Sequence, residues 1–213
     1  MAYTTINKST DYFNPVAYTG NGASDRAVTS GFATDLVWIK NRNTTDDHVI
    51  FDKVRGGTKY VYTNATQAES TYSGLDLTFE STGVDVGSYT TINNNGSNLI
   101  SYHWIANGSG SADTTGTINS SYTSANTTSG FSIVTYTGTG TAGTIGHGLG
   151  AVPTMIITKS LNYAEGWYCY HVSLGNGASI VLNSTAISYS SSNWNNTTPT
   201  SSVFSVGTGD TNT

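Results

Sequence analysis

Charged side chains are scarce in this sequence. They make up 10% of 213 residues, 8 Lys and Arg against 13 Asp and Glu, where about a quarter is usual. A net charge of −5 and a pI near 5.1, with no basic cluster, weigh against nucleic acid as a partner, because phosphate binding needs grouped Lys and Arg. Cysteine is nearly absent. Cys169 stands alone, so no internal disulfide can form, and stability must come from burial or assembly. Only 3 prolines occur, too few to break up strands. No window approaches the roughly 18 apolar residues of a spanning helix, and MAYTTINKSTDYF lacks a basic segment followed by an apolar one. Neither membrane insertion nor a secretory signal is expected.

Ser, Thr and Asn fill roughly two-fifths of the chain, a composition that favours turns and extended strands over helices. The apolar runs are short: VAYTG, DLVWIKN, HVIFDKV, KYVYTN, LDLTFE and NLISYHWIA, separated by NG, GG and DD. Such runs bounded by turn signals are strands. The nearest helical candidate, ATQAESTYSG, is short and weakly patterned and allows one helical turn. From Asn107 to Gly130 the chain reads NGSGSADTTGTINSSYTSANTTSG, with almost nothing to bury, which predicts a flexible linker.

The segments flanking that linker resemble each other. YTGNG at Tyr18 to Gly22 matches YTGTG at Tyr136 to Gly140, LVWIK at Leu36 to Lys40 matches MIITK at Met155 to Lys159, and KYVYTNAT at Lys59 to Thr66 matches ASIVLNST at Ala178 to Thr185. The last two pairs share one offset, since 159 − 40 and 185 − 66 both give 119, and the first differs by a single insertion. LTFESTG at Leu77 to Gly83 resembles SVFSVGTG at Ser202 to Gly209, with a larger offset taken up by SSNWNNTTPT. The chain therefore reads as two diverged copies of one domain.

The duplication bears on FSIVTYTGTGTAG, Phe131 to Gly143, whose Gly138, Gly140 and Gly143 follow an apolar run at the spacing of a dinucleotide-binding loop. That fingerprint requires a helix after the glycines, to present its N-terminal amides to the pyrophosphate. TIGHGLGAVP cannot start one, and the first copy lacks the third glycine. The spacing belongs to a turn, and no cofactor is expected.

With the repeat in view, YTGNG, DLVWIKNRN, DKVRGGTKYVYTNATQAE, FSIVTYTGTGTAGTIGHGLG, VPTMIITK and PTSSVFSVGTG can be compared with families. They resemble a repeat domain of tail-fibre and virion proteins of marine bacteriophages, whose copies begin near YTGNG and carry VWIK and VRG. The resemblance takes in MAYTTINKSTDYF and so spans nearly the whole chain. It implies a β-sandwich module in a virion appendage, with no catalytic residue to carry over, and function drawn from it is analogy. The first copy closes with NNNGSNLISYHWIA, Asn93 to Ala106, and the second stops at Thr213 before any equivalent. Either the polypeptide continues, which is favoured because GTGDTNT reads as a turn entering a strand, or a neighbouring subunit donates the strand.

Candidate chemistry is thin. His48, His103, His147 and His171 form no HxH or HExxH spacing, and Asp46, Asp47 and His48 read as a solvated loop tip; no metal site is expected. Cys169 and His171 could share a strand face, but nothing supplies the orienting group and oxyanion hole of a nucleophilic pair. Asp76 and Glu80 share a face by alternation, as a glycosidase pair requires of two acids in one cleft, yet the second copy has no acid there. Arg55 and Lys59 in VRGGTK are assigned to a turn with ion pairing to Asp52 or Glu69. Trp38, paired by repeat with Ile157, is expected in the core. Trp194, flanked by Asn193 and Asn195 in a polar loop, is the candidate glycan contact, with anchoring of its own loop as the competing role.

The expected architecture is all-β: two tandem antiparallel β-sandwiches of jelly-roll or lectin-like type from an internal duplication. Residues 1–12 form an amino-terminal arm, 13–106 copy one, 107–130 the linker, and 131–213 copy two lacking its last strand. Tyr3, Thr4, Thr5 and Ile6 of the arm are the candidate assembly segment. The expected function is non-enzymatic: a structural and adhesive virion protein of a phage tail fibre or similar appendage, homo-oligomeric and trimeric by analogy, contacting other virion subunits and a host surface glycan. A capsid decoration protein and a virion-associated polysaccharide-binding or polysaccharide-cleaving protein are the alternatives.

Overall fold

Residues 6–72 and 77–212 are described by the structure, a computed structural model. Period-two alternation decides the first copy. In β3 (Leu36–Asn41, following β1 at Phe13–Thr19 and β2 at Arg26–Thr29), Val37 and Ile39 are fully buried while Leu36, Trp38 and Lys40 are half-buried. Branched and aromatic side chains at alternate positions can seal one face of a pleated sheet. The remaining elements of this unit are β4 (Val49–Asp52), β5 (Lys59–Tyr62), β6 (Ser70–Thr71), β7 (Thr78–Glu80), β8 (Gly83–Val86), one helical turn α1 (Thr90–Asn93) and β9 (Asn98–Trp104). They form a six-stranded sheet, β1-β9-β3-β4-β5-β6, and a three-stranded sheet, β2-β8-β7, antiparallel throughout. Val28, Val84 and Val86 of the smaller sheet join Val37, Ile39, Val49, Phe51 and Leu99 of the larger in one core, so this unit is an antiparallel β-sandwich.

The last strand of the first copy is also its centre. β9 lies between β1 and β3, with Tyr18 opposite Leu99 on one side and Trp38 opposite Tyr102 on the other. Leu99, Ser101 and His103 point inward and are fully buried. Tyr12 O accepts from Ile105 N–H and so continues the β1–β9 ladder into the arm, where a 3-10 turn covers Ser9–Asp11. Pro15 belongs to β1, an outermost strand, where a missing N–H is tolerated.

The second unit contains β10 (Ser111–Asp113), β11 (Ser120–Asn126), β12 (Phe131–Tyr136), β13 (Gly143–Gly146), β14 (Met155–Lys159), β15 (Trp167–His171), β16 (Ala178–Val181), β17 (Tyr189–Ser190) and β18 (Val203–Val206). Its sheets are β14-β15-β16-β17, β13-β18 and β10-β11-β12. The first repeats β3-β4-β5-β6, and the second repeats β2-β8. A cluster of Ile118, Ile145, Phe204 and Val206 forms its core, with Val134, Tyr136 and Ile156 packed on it but only partly buried.

Two boundaries differ from expectation. The segment 107–130, read as a flexible linker, carries β10 and β11, and Ser120 and Ser124 within it are buried. Its Ser and Thr side chains satisfy one another and the backbone, as when Ser120 Oγ accepts from Asp113 N–H and pairs with Thr123 Oγ1, so low hydrophobicity did not mean disorder. Further, the compact units are Met1–Tyr62 with Ser70–Ser109, and Thr63–Glu69 with Gly110–Thr213. Thr63–Glu69 belongs with the second copy, where Glu69 N–H donates to Leu161 O. Of the assembly segment, Tyr3, Thr4 and Thr5 lie outside the described residues, and Ile6 is half-buried.

Candidate functional site

The glycine turns resemble a phosphate loop in spacing only. Gly22 and Gly140 occupy equivalent places and both have positive φ, 68° and 65°, a region open to glycine at little cost. Their amides are already used. Gly22 N–H donates to Asn93 O and Gly140 N–H to Asn212 O, each at 2.9 Å. The two asparagines hold their turns in the same way. Asn93 Oδ1 accepts from Asn21 N–H, and its Nδ2 donates to Ala23 O and Gly87 O. Asn212 Oδ1 accepts from Thr139 N–H, and its Nδ2 donates to Thr141 O and Gly207 O. Tyr18 and Tyr136 repeat the pattern again, donating their hydroxyls to Ile92 O and Thr211 O. Burial pushes both phenols well above the usual range. YTGNG and YTGTG are therefore the outer halves of two buried asparagine clasps.

The titratable candidates are held in structural contacts. Lys40 Nζ donates to Thr44 O and Asp46 O, so an ammonium closes the loop before His48, and Lys159 clips the equivalent loop through Ser160 O and Tyr163 O. His48 is shifted below its ordinary pKa by burial and by Lys40. No group of three or more His, Cys, Asp or Glu able to hold a metal occurs among the described residues. His103 is wholly buried between Thr34 Oγ1 at 3.0 Å and Ser101 Oγ at 2.8 Å, and burial lowers its pKa to about 4. His147 Nε2 lies 3.2 Å from Thr200 O, and its Nδ1 accepts from Leu149 N–H. Cys169 is buried and its pKa is pushed up to about 11 by desolvation, which leaves a thiol rather than the nucleophilic thiolate. His171 Nδ1 accepts from Ser173 N–H. Arg55 pairs with Asp52 as expected, Nε to Oδ2 at 2.6 Å, and its backbone N–H also donates to that carboxylate. Asp76 lies outside the described residues, and Glu80 is exposed in β7 opposite Gly83.

Trp194 is not a stacking platform. It is 1% exposed, its indole N–H donates to Ser179 Oγ at 2.9 Å, and its ring packs edge-on against Tyr170 at 5.9 Å. A buried indole whose single donor is satisfied anchors its own loop, and this replaces the glycan role. Asn193 is likewise buried, its carbonyl accepting from Gly207 N–H and Thr211 Oγ1. Asn195 is exposed beside it, at φ 49°.

A row of half-buried aromatic side chains lies on the first unit. Trp38 is half-buried on the outer face of β3, not in the core: the alternation that buries Val37 and Ile39 turns it outward. There it meets Tyr102 of β9 at 6.2 Å between ring centres, and Phe13 continues the row against Tyr102 and Trp104. The period-two spacing of Tyr102 and Trp104 carried the signal for this row.

One family comparison covers almost the whole chain, matching residues 8–213. The chain belongs to that family, DUF7483, a domain of unknown function. The match runs across both units in a single stretch. No curated protein and no solved structure matches.

In this DUF7483 chain the two copies differ most where β9 sits. β14 is equivalent to β3, and Met155, Ile157 and Lys159 stand 119 residues after Leu36, Trp38 and Lys40. Among the described residues β14 pairs with β15 alone, whereas β3 has β4 on one side and β9 on the other. Met155 is 49% and Ile157 44% exposed. Apart from Tyr72, every large hydrophobic residue that is strongly exposed among the described residues belongs to the second unit.

Proposed function

We propose that this chain is a non-enzymatic structural and adhesive module of a virion appendage of the tail-fibre kind, working through contacts with neighbouring subunits. One observation supports the reading above others: the large exposed hydrophobic residues collect in the second unit, while the first has almost none. Met155 and Ile157 lie on one face of β14, and neighbouring exposed apolar side chains of this kind mark surfaces that a partner covers. The low charge fits the same role. Faces of Ser, Thr, Asn and Tyr make many weak contacts that add through multivalency when copies are arrayed, and a homo-oligomer supplies the array. The phage context comes from the sequence resemblance.

The test pairs immunogold labelling of intact particles with sedimentation of the purified chain. The reading expects gold at the appendage and a closed oligomer at micromolar concentration. Label confined to the capsid shell, or a monomer at every concentration that releases reducing ends from host polysaccharide, would overturn it.

A further inference from the structure

Both sides of β9 are used in the first unit, and the hydrogen bonds show which residues serve which neighbour. Arg42 N–H donates to Asn98 O toward β3, while Gly20 N–H donates to Ser97 O and Ile105 N–H to Tyr12 O toward β1. In an antiparallel ladder such bonds recur at every second residue, so Ile100 and Tyr102 pair their backbones with Lys40 and Trp38 of β3, and Leu99, Ser101 and His103 serve β1. The same parity holds in the second unit. Val172 N–H donates to Thr154 O, which assigns the backbones of Thr154, Ile156 and Thr158 to β15 and leaves those of Met155, Ile157 and Lys159 on the opposite edge of β14. These three are the counterparts of Leu36, Trp38 and Lys40, the residues that hold β9.

The side chains show the same deficit. Val37 and Ile39, on the inner face of β3 beside β9, are 0% exposed, but their counterparts Ile156 and Thr158 are only half-buried. On the outer face, Trp38 packs against Tyr102, while Ile157 in the equivalent place is open to solvent. Among the described residues, both the edge and the face of β14 thus lack the cover that β3 has in the first unit. The asparagine clasp that leads into β9, by contrast, is complete in both units.

We infer that the free edge of β14 is a docking site for an extended peptide strand of β9 chemistry, running antiparallel to β14. That strand has no Asp, Glu, Lys or Arg, turns side chains of the Leu, Ser and His kind inward and of the Ile, Tyr and Trp kind outward, and donates backbone hydrogen bonds to Met155, Ile157 and Lys159. β9 itself, seated on the equivalent edge of the other unit, is the template for this occupant. Adding a strand to an exposed edge supplies affinity through the main chain and selectivity through alternate side chains. The inference is independent of the virion reading.

Methionine provides the reporter, because Met155 and Met1 are the only two in the chain. The full chain, labelled with carbon-13 at its methionine methyl groups, is titrated with a synthetic peptide of the sequence NGSNLISYHWIA, residues 95–106. The Met155 resonance should shift saturably. The same peptide N-methylated at the nitrogens of Ile100 and Tyr102, which loses the donors aimed at β14 but keeps every side chain, should bind at least about tenfold more weakly. No shift of Met155, or an equal shift with the methylated peptide, overturns the proposal. So does a Met155 resonance that changes with protein concentration before any peptide is added, since pairing between two copies of β14 would then fill the edge.

Discussion

His103 shows how a residue type associated with catalysis can be wholly structural. Its imidazole bridges Thr34 Oγ1 and Ser101 Oγ in the core of the first unit, and desolvation lowers its pKa from 6.5 to about 4. The unfolded chain takes up its proton near pH 6.5 and the folded chain only near pH 4. Below about pH 6.5 the unfolded state therefore binds more protons, and stability falls as the pH drops towards about 4, by on the order of 3 kcal/mol. Urea midpoints measured from pH 7 to pH 4 should show this slope in the native chain and a flatter one in His103→Gln. Parallel slopes would remove His103 as the cause. The buried asparagines make a second prediction. Asn93→Ala strips donors from Ala23 O and Gly87 O and an acceptor from Asn21 N–H, and should cost about 2–4 kcal/mol. Hydrogen exchange should then accelerate at the Gly22 amide and leave the Gly140 amide protected. Asn212→Ala should reverse the two.

At the scale of elements, strand position matters more than strand sequence. β3 reads LVWIKN and β14 reads MIITK, two runs of similar hydrophobicity at equivalent places, yet one is sealed and the other open. The difference lies in their neighbours, β9 on one and none on the other among the described residues. Ile39→Ala, within the sealed core, should cost about 2–5 kcal/mol, whereas Ile157→Ala on the exposed face should change stability by under about 1 kcal/mol. Chemical denaturation of both variants checks the contrast. A large loss from Ile157→Ala would mean that its side chain is already covered in solution.

For the molecule as a whole, the low charge sets what it does not respond to. Lys8–Asp11, Lys53–Asp35 and Arg55–Asp52 form ion pairs, and of these three only the last has both side chains well buried. Exposed pairs contribute little and are screened by salt, so the denaturation midpoint should move little between about 0.05 and 1 M sodium chloride. With a net charge of −5, the chain should pass through a heparin or duplex-DNA column in about 0.15 M salt without retention. Retention would reveal a basic surface that composition hides.

Composition and spacing by themselves determined the all-β class, the duplication and its 119-residue offset, because strands and turns are written in short-range patterns: period-two alternation, branched and aromatic residues, glycine between them. The Arg55–Asp52 turn was legible for the same reason, its partners lying three residues apart. Only the tertiary structure decided the rest. Trp194 looked like a platform because its neighbours are polar, and it is buried because Ser179 and Tyr170, distant in sequence, enclose it. Residues 107–130 looked like a linker because they have little to bury, and they form strands because hydroxyls can satisfy one another once a sheet brings them together. Asn93 and Asn212 gave no local signal, since each acts on a turn about seventy residues away. Which partner meets a given side chain depends on pairing across the chain, and that is settled by the packing of sheets rather than by any single stretch of residues.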